Sequence, residues 1–275
     1  MFNVPILEAK TLIRALKKVS GRDLSGLAMA SFRYRISRIL ISYKLDNIES
    51  LIKFIQDNPE NLNRLISDIA VGSPDMFRNP DLWIHIRENL LPIIFASRRY
   101  PEVYIPQCVT GDELYTLAIF LRETGLDYRV DLVATCPDNR TRDQILNGEL
   151  NNTRYKNSKD NFEVYNPDLS FEEYIETRQG KKYIQKDLLE GIEIKVQDDN
   201  EPFCSENTAL LIYRNRMIYQ NVEMQYRTLK KMLGEMEKGT CFILGAGESI
   251  GGFGLDRFYK DLSSDYNIYI KKDVQ

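Results

Sequence analysis

Residues 103–121, VYIPQCVTGDELYTLAIFL, decide the fold expected for this chain. Residues 103–105 are typical of a buried strand, residues 106–112 of a tight turn, and the Leu and Ala residues that follow recur at the spacing of an amphipathic helix. Thr110 is expected to cap that helix, with Glu113 completing a capping box. Because a helix that follows a strand directs its free N–H groups toward the ligand-binding edge of an open α/β sheet, the stretch predicts a ligand cradle.

The segments from residue 81 to residue 275 alternate between helix-like and strand-like patterns, which predicts a mostly parallel sheet with helices on both faces. Further strands are expected at 130–135, 208–213, 241–244 and 267–270. The last two are close enough in sequence to end the sheet with an antiparallel strand. Helices are expected at 138–146, ended by Gly148, and after Asn221 as the N-cap. Between these elements, residues 151–160 are a polar stretch.

A small β-insertion is expected inside this sheet domain, at about residues 174–197. Two strand-like runs, KYIQK and IEIKV, are separated there by a turn, which predicts a hairpin. Residues 71–80, VGSPDMFRNP, are rich in Gly, Pro and Asn and predict a linker. The Phe77-Arg78 pair within it is unusual for a linker and favours a segment that folds back onto the protein.

Residues 1–70 predict a separate helical domain of four short helices. Their apolar stripes consist of Leu12, Ile13, Leu16 and Val19; Phe32, Ile36, Ile39, Leu40 and Tyr43; Ile48, Leu51, Ile52 and Ile55; and, after Asn58-Pro59, Leu62, Leu65, Ile66 and Ile69. Arginines flank the second stripe, at positions that include Arg33, Arg35 and Arg38. They indicate either a solvated face or a surface for an acidic partner helix.

The composition limits the chemistry. Of 275 residues 43% are hydrophobic and 28% are charged, and the net charge of -3 gives no electrostatic case for binding nucleic acid or an anionic membrane. We find no apolar run of membrane-spanning length and no signal peptide, so a soluble, cytoplasmic protein is expected. The four scattered cysteines are expected to be buried free thiols, and the single histidine, His85, to be a partly covered helix residue rather than a metal ligand or base.

Four segments resemble the CheR-type chemotaxis receptor methyltransferases, which esterify glutamate side chains with S-adenosylmethionine. The segments are DMFRNPDLW, PQCVTGDELYTLAIFL, YRNRMIYQNVEMQ and KGTCFILGAGESI, in the family's order and spacing. The resemblance covers nearly the whole chain. It implies a helical receptor-docking domain followed by a class I, Rossmann-like methyltransferase domain with a small β-insertion.

The resemblance also implies roles for particular residues. Arg78 would lie over the cofactor, and Tyr219 would line the methyl-transfer site. The residues expected to contact the cofactor are Phe77, Cys108, Thr110, Glu113, Arg214 and Asn215. The basic helix with Arg33, Arg35 and Arg38 would meet a helical, chemoreceptor-like partner.

The chain departs from the family pattern in the cofactor motif. Gln107 replaces a glycine, Cys136 replaces the acidic residue that holds the ribose, and Tyr213 replaces a cysteine. In the linker, Gly72 and Pro74 replace polar residues. Two hypotheses follow. The chain is either a methyltransferase with a rebuilt pocket, in which Asp138 or Asp198 serves the ribose, or an interaction or regulatory module that has lost cofactor binding. An oxidoreductase is disfavoured because no Gly-x-Gly-x-x-Gly follows a predicted strand.

Overall fold

The structure, a computed structural model, describes residues 4–21, 24–58, 61, 62, 65, 69, 75–197 and 204–273. The chain folds into two compact units. The first, the helical unit, consists of Met1–Gly72 and Asn215–Leu229, and the second, the sheet unit, of Ser73–Arg214 and Lys230–Gln275. The sequence did not predict that residues 215–229 group with the helical segment. The predictions that rest on Pro59, Ile66, Gly72, Pro74 and Asp198 lie outside the described residues.

The helical unit begins with three helices at the predicted positions: α1 (Ile6–Ser20), α2 (Met29–Ser42) and α3 (Ile48–Asp57). Their apolar stripes form one core, which Leu62, Leu65 and Ile69 join. Val19 was wrongly assigned to the first stripe. Val19 is 45% exposed. The buried face of α1 continues from Leu16 to Ser20, four residues further on, so Val19 lies outside that face.

The sheet unit opens with α4 (Pro80–His85), a π-helical turn (Ile86–Leu90) and α5 (Leu91–Ser97). His85 is partly covered, as predicted, and its ring lies 4.7 Å from that of Tyr266. Phe77, just before α4, is fully buried and stacks on Tyr165 with ring centroids 4.8 Å apart. The segment around Phe77 therefore folds back onto the core, as its aromatic side chain indicated.

The main sheet contains seven strands among the described residues: β1 (Glu102–Ile105), β2 (Asp131–Cys136), β6 (Glu193–Val196), β7 (Thr208–Tyr213), β8 (Cys241–Leu244), β9 (Tyr259–Ser263) and β10 (Ile268–Lys271). Their order across the sheet is β6-β2-β1-β7-β8-β10-β9. The first five of these pair in parallel, and β10 is antiparallel to β8 as predicted. The edge strand β9, which pairs with β10, was not predicted.

Helices α6 (Asp112–Glu123), α7 (Asn139–Asn147), α8 (Asn152–Tyr165) and α9 (Val222–Glu235) complete the fold. α7 begins and ends as predicted, with Gly148 in the left-handed conformation at its C-cap. Asn221 caps α9 by accepting a hydrogen bond from the Met224 N–H at 2.9 Å. α8 replaces the polar stretch expected at 151–160 and buries only Ser158, Phe162 and Tyr165.

The small β-insertion is a second sheet, but the predicted hairpin is wrong. The second sheet contains β3 (Glu149–Leu150), β4 (Ile175–Arg178) and β5 (Lys181–Ile184), in the order β3-β5-β4. Most of the KYIQK run is β5, which pairs with β4 rather than with IEIKV. The IEIKV run forms β6, the edge of the main sheet, because its parallel partner is β2.

The four cysteines, Cys108, Cys136, Cys204 and Cys241, are buried and free, as expected. Burial raises the pKa of Cys204 to about 12 and that of Cys241 to about 11. Across the residues that the structure describes, no helix is both long enough and apolar enough to cross a membrane.

Candidate cofactor site

The candidate site lies at the carboxyl ends of β1 and β7, in the sheet unit. These neighbouring strands are parallel, and the chain continues from β1 outward to β2 and from β7 in the opposite direction to β8. The strand order therefore reverses between them, and the crevice at such a point is where open α/β sheets bind ligands. We call it the switch-point crevice.

The turn after β1 is fixed to the end of β2. Gln107 has a φ of 53°, and its N–H donates to Thr135 Oγ1 at 3.0 Å. The Cys108 N–H donates to the Thr135 carbonyl at 2.5 Å. Gln107 is thus in the left-handed region, which glycine adopts without strain. This positive φ explains why the related motif has a glycine at this position.

The start of α6 differs from the sequence prediction. The N-cap is Gly111, with a φ of 81°, and no side-chain cap is formed, so the capping role given to Thr110 is wrong. A Cβ on Gly111 would lie 2.5 Å from the Tyr115 Cζ. Glycine is required here for both the positive φ and the close approach of the tyrosine ring.

A buried ion pair that the sequence did not predict braces this turn. Arg154 on α8 donates from Nε to Asp112 Oδ1 at 2.5 Å and from Nη2 to the Thr110 carbonyl at 2.7 Å. Burial raises the pKa of the Asp112 carboxyl, and the Arg154 guanidinium opposes that rise. Thr110 therefore contributes its backbone to the turn. The pair was missed because Arg154 lies in the stretch expected to be merely polar.

A second buried ion pair spans the switch-point crevice. Arg214, directly after β7, donates from Nη1 to both carboxylate oxygens of Glu113, at 2.9 and 3.1 Å. Its Nη2 donates to the Arg78 carbonyl at 3.0 Å and to Asn79 Oδ1 at 2.9 Å. The Arg214 side chain is 1% exposed and that of Glu113 19% exposed. Arg78, Glu113 and Arg214, three predicted site residues, are therefore in one hydrogen-bonded group.

Two buried N–H groups of this group lack a hydrogen-bond partner among the described residues: Arg78 Nη1 and Arg214 Nε. A buried guanidinium donor without an acceptor is costly unless a ligand supplies one. The α-carboxylate of an amino-acid ligand is an acceptor of the right charge. Phe77, which was also assigned to cofactor contact, is fully buried in the aromatic core beside them.

Among the described residues, the last residue of β2 is neutral. Cys136 is buried, and its thiol lies 3.5 Å from the Asp138 carbonyl. The Asp138 carboxylate is the N-cap of α7, where it accepts a hydrogen bond from the Thr141 N–H at 2.7 Å. An acidic residue at the end of this strand would hold two ribose hydroxyls, whereas the carboxylate present is already engaged with a helix terminus. The alternative ribose residue, Asp198, lies outside the described residues.

The other predicted site residues belong to the helical unit. Tyr219 accepts the guanidinium of Arg35 over its ring, 3.8 Å from the ring centroid, and its carbonyl accepts from the Ala28 N–H at 2.6 Å. Asn215 has a φ of 56°. Within the helical unit, Tyr219 is therefore held by α2 through a cation–π contact and a backbone hydrogen bond.

The predicted docking arginines have unequal environments. Arg35 is 8% exposed and also donates to the Ile69 carbonyl, so its assignment to a partner surface is wrong. It faces inward because α2 turns this position toward residues 215–229. Arg33 is half-buried and donates from Nε to the Val4 carbonyl at 2.5 Å. Arg38 is exposed. In the part of the chain that the structure covers, no cluster of side chains suits a metal ion.

The strand order of the main sheet is that of a class I methyltransferase. The chain belongs to the CheR methyltransferase family: residues 8–70 match its all-alpha domain, and residues 73–266 match its S-adenosylmethionine-binding domain. S-adenosylmethionine is the cofactor of the matched domain.

Related proteins are similar over most of their length. Cher3 of Pseudomonas putida, provisionally named a methyltransferase, is 25% identical over 89% of this chain and 89% of its own. The chemotaxis protein methyltransferase of Listeria innocua is 23% identical over 90% and 92%. A crystal structure of a Listeria monocytogenes protein, provisionally named a class I S-adenosylmethionine-dependent methyltransferase, aligns with 98% of this chain and 90% of its own, with 11% identity and a TM-score of 0.41.

Proposed function

We propose that this protein transfers the methyl group of S-adenosylmethionine to glutamate carboxylates of a helical, receptor-type protein. The observation that carries the proposal is the hydrogen-bonded group of Arg78, Glu113 and Arg214, in which two buried guanidinium nitrogens have no acceptor among the described residues. The name chemotaxis protein methyltransferase, which several relatives carry, supports the substrate class.

In this reaction the main task of the protein is to orient the two reactants. S-adenosylmethionine supplies a methyl group made electrophilic by a sulfonium sulfur. A glutamate side chain, with a reference pKa near 4.3, is already ionised at neutral pH, so the chain needs no general base. This agrees with its single histidine, which lies on a helix face. Holding two reactants in line can contribute roughly 7 to 11 kcal/mol.

The residues of the crevice would contact different groups of the cofactor. Arg78 Nη1 and Arg214 Nε would donate hydrogen bonds to its carboxylate, because both are buried donors. Glu113, whose carboxylate is fixed by Arg214, would accept a hydrogen bond from the ammonium group of the cofactor. Within the helical unit, the Tyr219 ring is held by the Arg35 guanidinium.

Binding of the product, S-adenosylhomocysteine, tests the cofactor half of the proposal. We expect heat of binding with micromolar affinity by isothermal titration calorimetry. Titration without heat at millimolar ligand would remove the enzymatic proposal. Transfer itself is tested with radiolabelled cofactor and a glutamate-bearing receptor fragment. A glutamyl methyl ester is base-labile, so label that is released as methanol by alkali identifies a carboxylate as the acceptor.

The docking surface is tested at Arg38, the exposed member of the predicted arginines. Arg38→Glu is expected to weaken pull-down of an acidic receptor helix while the affinity for S-adenosylhomocysteine stays unchanged. Lys53→Glu, an exposed charge reversal on α3, is the matched control. Equal pull-down by both variants would leave the arginines as a solvated face.

A second candidate is a family member that docks to its partner without transferring a methyl group. The observation that favours it is the neutral end of β2, with the Cys136 thiol and the engaged Asp138 carboxylate. Losing charge-assisted hydrogen bonds to the ribose costs roughly 1.5 to 3 kcal/mol each, which weakens affinity by powers of ten. The same calorimetric titration separates the two candidates.

A further inference from the structure

One face of α8 carries polar side chains that contact two separate segments of the sheet unit. Arg154, Ser158 and Asn161 recur at intervals of four and three residues, so they lie on one side of the helix. Phe162 and Tyr165 extend the same face. Ser158 and both aromatic residues are buried, and the Arg154 side chain is 11% exposed. α8 therefore directs polar as well as aromatic side chains into the sheet unit.

The C-terminal half of this face holds the segment that leads to Arg78. Ser158 Oγ accepts a hydrogen bond from the Met76 N–H at 3.0 Å, and Asn161 Nδ2 donates to the Met76 carbonyl at 2.9 Å. The next residue, Phe77, packs against the aromatic rings of the same face. Both backbone polar groups of Met76 are therefore bound by α8, two residues before Arg78.

Arg154, near the N-terminus of α8, holds the second segment, which is the turn that leads to Glu113. Its guanidinium donates to Asp112 Oδ1 at 2.5 Å and to the Thr110 carbonyl at 2.7 Å, and it lies 5.4 Å from the centroid of the Tyr115 ring. Asp112, whose side chain is 6% exposed, directly precedes Glu113. A single helix therefore holds both segments that carry charged residues to the switch-point crevice.

Stability alone is a poor explanation for the buried pair of Arg154 and Asp112. The desolvation of two charges offsets much of their attraction, so a buried ion pair is weak evidence for stability. The first turn of α6 also has hydrogen bonds of its own, from the Tyr115 N–H to the Gly111 carbonyl at 2.8 Å and from Thr116 Oγ1 to the Asp112 carbonyl at 2.7 Å. The rigid guanidinium fork binds a side chain and a backbone carbonyl together, which fixes the orientation of the turn.

We propose that Arg154 is a positioning residue for S-adenosylmethionine: it acts through Asp112 on the neighbouring Glu113, whose carboxylate accepts the ammonium group of the cofactor. Because the same helix also binds Met76, α8 sets the separation between Glu113 and Arg78. These two residues bind the ammonium and carboxylate groups of one amino-acid moiety, so their separation determines the affinity. The inference rests on the proposed function, since it concerns the same cofactor site.

Two ligands test the positioning role in Arg154→Lys. S-adenosylhomocysteine has the amino-acid moiety, whereas methylthioadenosine retains the adenosine thioether and lacks the carboxylate and ammonium groups. Lysine keeps a positive charge for Asp112 but not the planar fork that also reaches the Thr110 carbonyl. By calorimetric titration we expect affinity for S-adenosylhomocysteine to fall about tenfold, as for one charge-assisted hydrogen bond, and affinity for methylthioadenosine to change less than about twofold.

Arg122, in the last turn of α6, provides a matched control. Its Nη1 donates to Asp187 Oδ2 at 2.7 Å and its Nη2 to the Asp187 carbonyl at 3.0 Å, so it also binds a carboxylate and a backbone carbonyl. It lies at the opposite end of α6 from Glu113. Arg122→Lys should leave both affinities unchanged. Thermal unfolding without ligand reports the stability of each variant.

A double variant separates positioning from folding. Asp112→Leu combined with Arg154→Met replaces the ion pair with apolar side chains, an exchange that is often neutral for stability. Its affinity for S-adenosylhomocysteine should again be about tenfold weaker, because the guanidinium fork that orients the turn is lost. Its affinity for methylthioadenosine should remain that of the wild type.

Each outcome decides the inference. Undiminished affinity of either variant for S-adenosylhomocysteine overturns it, as does an equal loss for both ligands, which a merely structural role would cause. The proposed function survives both results. Absence of S-adenosylhomocysteine binding by wild type removes the proposed function and the inference together. If wild type binds methylthioadenosine too weakly to titrate, Arg154→Lys is measured in a Glu113→Gln background, where a further loss of affinity overturns the inference.

Discussion

The two sides of the switch-point crevice differ in how they carry charge. Beside β7, the Arg214 side chain is 1% exposed and is held by a carboxylate, a backbone carbonyl and an amide oxygen. Beside β2, Cys136 contributes a neutral thiol, and the carboxylate of Asp138, two residues further on, caps a helix. A buried ion pair cannot lose one partner without a large penalty, whereas a strand end can exchange its side chain more easily. The comparison teaches that the charged side limits substitution and the neutral side permits it.

The largest expected effect is at the charged side. Arg214→Ala removes the guanidinium that pairs with the Glu113 carboxylate and donates to the Arg78 carbonyl, so we expect the free energy of unfolding to fall by about 3 to 5 kcal/mol. Denaturant unfolding measures the change. Arg227→Ala, at an ion pair whose arginine side chain is 70% exposed, should cost less than about 1 kcal/mol. Similar losses of unfolding free energy for the two variants would show that the buried ion pair is no more important than an exposed one.

The neutral side is tested by restoring charge. Cys136→Asp should tighten binding of S-adenosylhomocysteine by about tenfold to a hundredfold, because charge-assisted hydrogen bonds to ribose hydroxyls contribute about 1.5 to 3 kcal/mol. Cys136→Ser, which adds a neutral hydroxyl of similar size, is the matched control and should change affinity less. Calorimetry that finds no gain with the carboxylate would show that β2 does not face the ribose.

The turn between the two sides is tested at Gly111. Gly111→Ala should destabilise the fold by about 1 to 3 kcal/mol, because the residue has a φ of 81° and the added Cβ would approach Tyr115. Gly180→Ala isolates the backbone contribution, since Gly180 has a φ of 76° and nothing within 4 Å of the added atom. The difference in thermal stability between the two variants gives the part of the destabilisation that is due to contact with the Tyr115 ring. Equal shifts would assign the whole effect to backbone strain.

The smallest effect is expected in the reactivity of the Cys136 thiol, at the neutral side of the crevice. Burial raises the pKa of the Cys136 thiol above its ordinary value of 9.0, so its thiolate fraction at about pH 8 is lower than that of a free cysteine. Alkylation of Cys136 in the folded protein, followed by mass spectrometry, should be slower than in the protein unfolded by urea. Labelling at the rate of the unfolded protein would show that the strand end is open and ionised.

Much of the sheet could be predicted from sequence because its strands are short apolar runs bounded by turns. β7 matches the prediction residue for residue, and β8 and β10 are antiparallel as their proximity in sequence indicated. The capping signals of α7 were equally informative, since Asp138 and Gly148 each stabilise one terminus. Local patterns succeeded where local physics decides the structure.

The failures have a common cause in contacts between residues distant in sequence. α8 was missed because it is polar along most of its length and buries three side chains. The partner of β5 was wrong because pairing depends on the tertiary arrangement rather than on the strand pattern. Arg35 and Arg154 resembled surface charges, yet each is buried against a partner that the sequence places far away.

The grouping of residues 215–229 with the first 72 residues limits how the protein can be divided. Tyr219 is tied to Ala28 and Arg35, and the Asn221 N–H donates to the Gly26 carbonyl at 2.8 Å. A shortened chain that began at residue 73 would retain this segment without the helices that hold it. Exchange of the N-terminal helices between relatives would likewise require residues 215–229 to be exchanged with them.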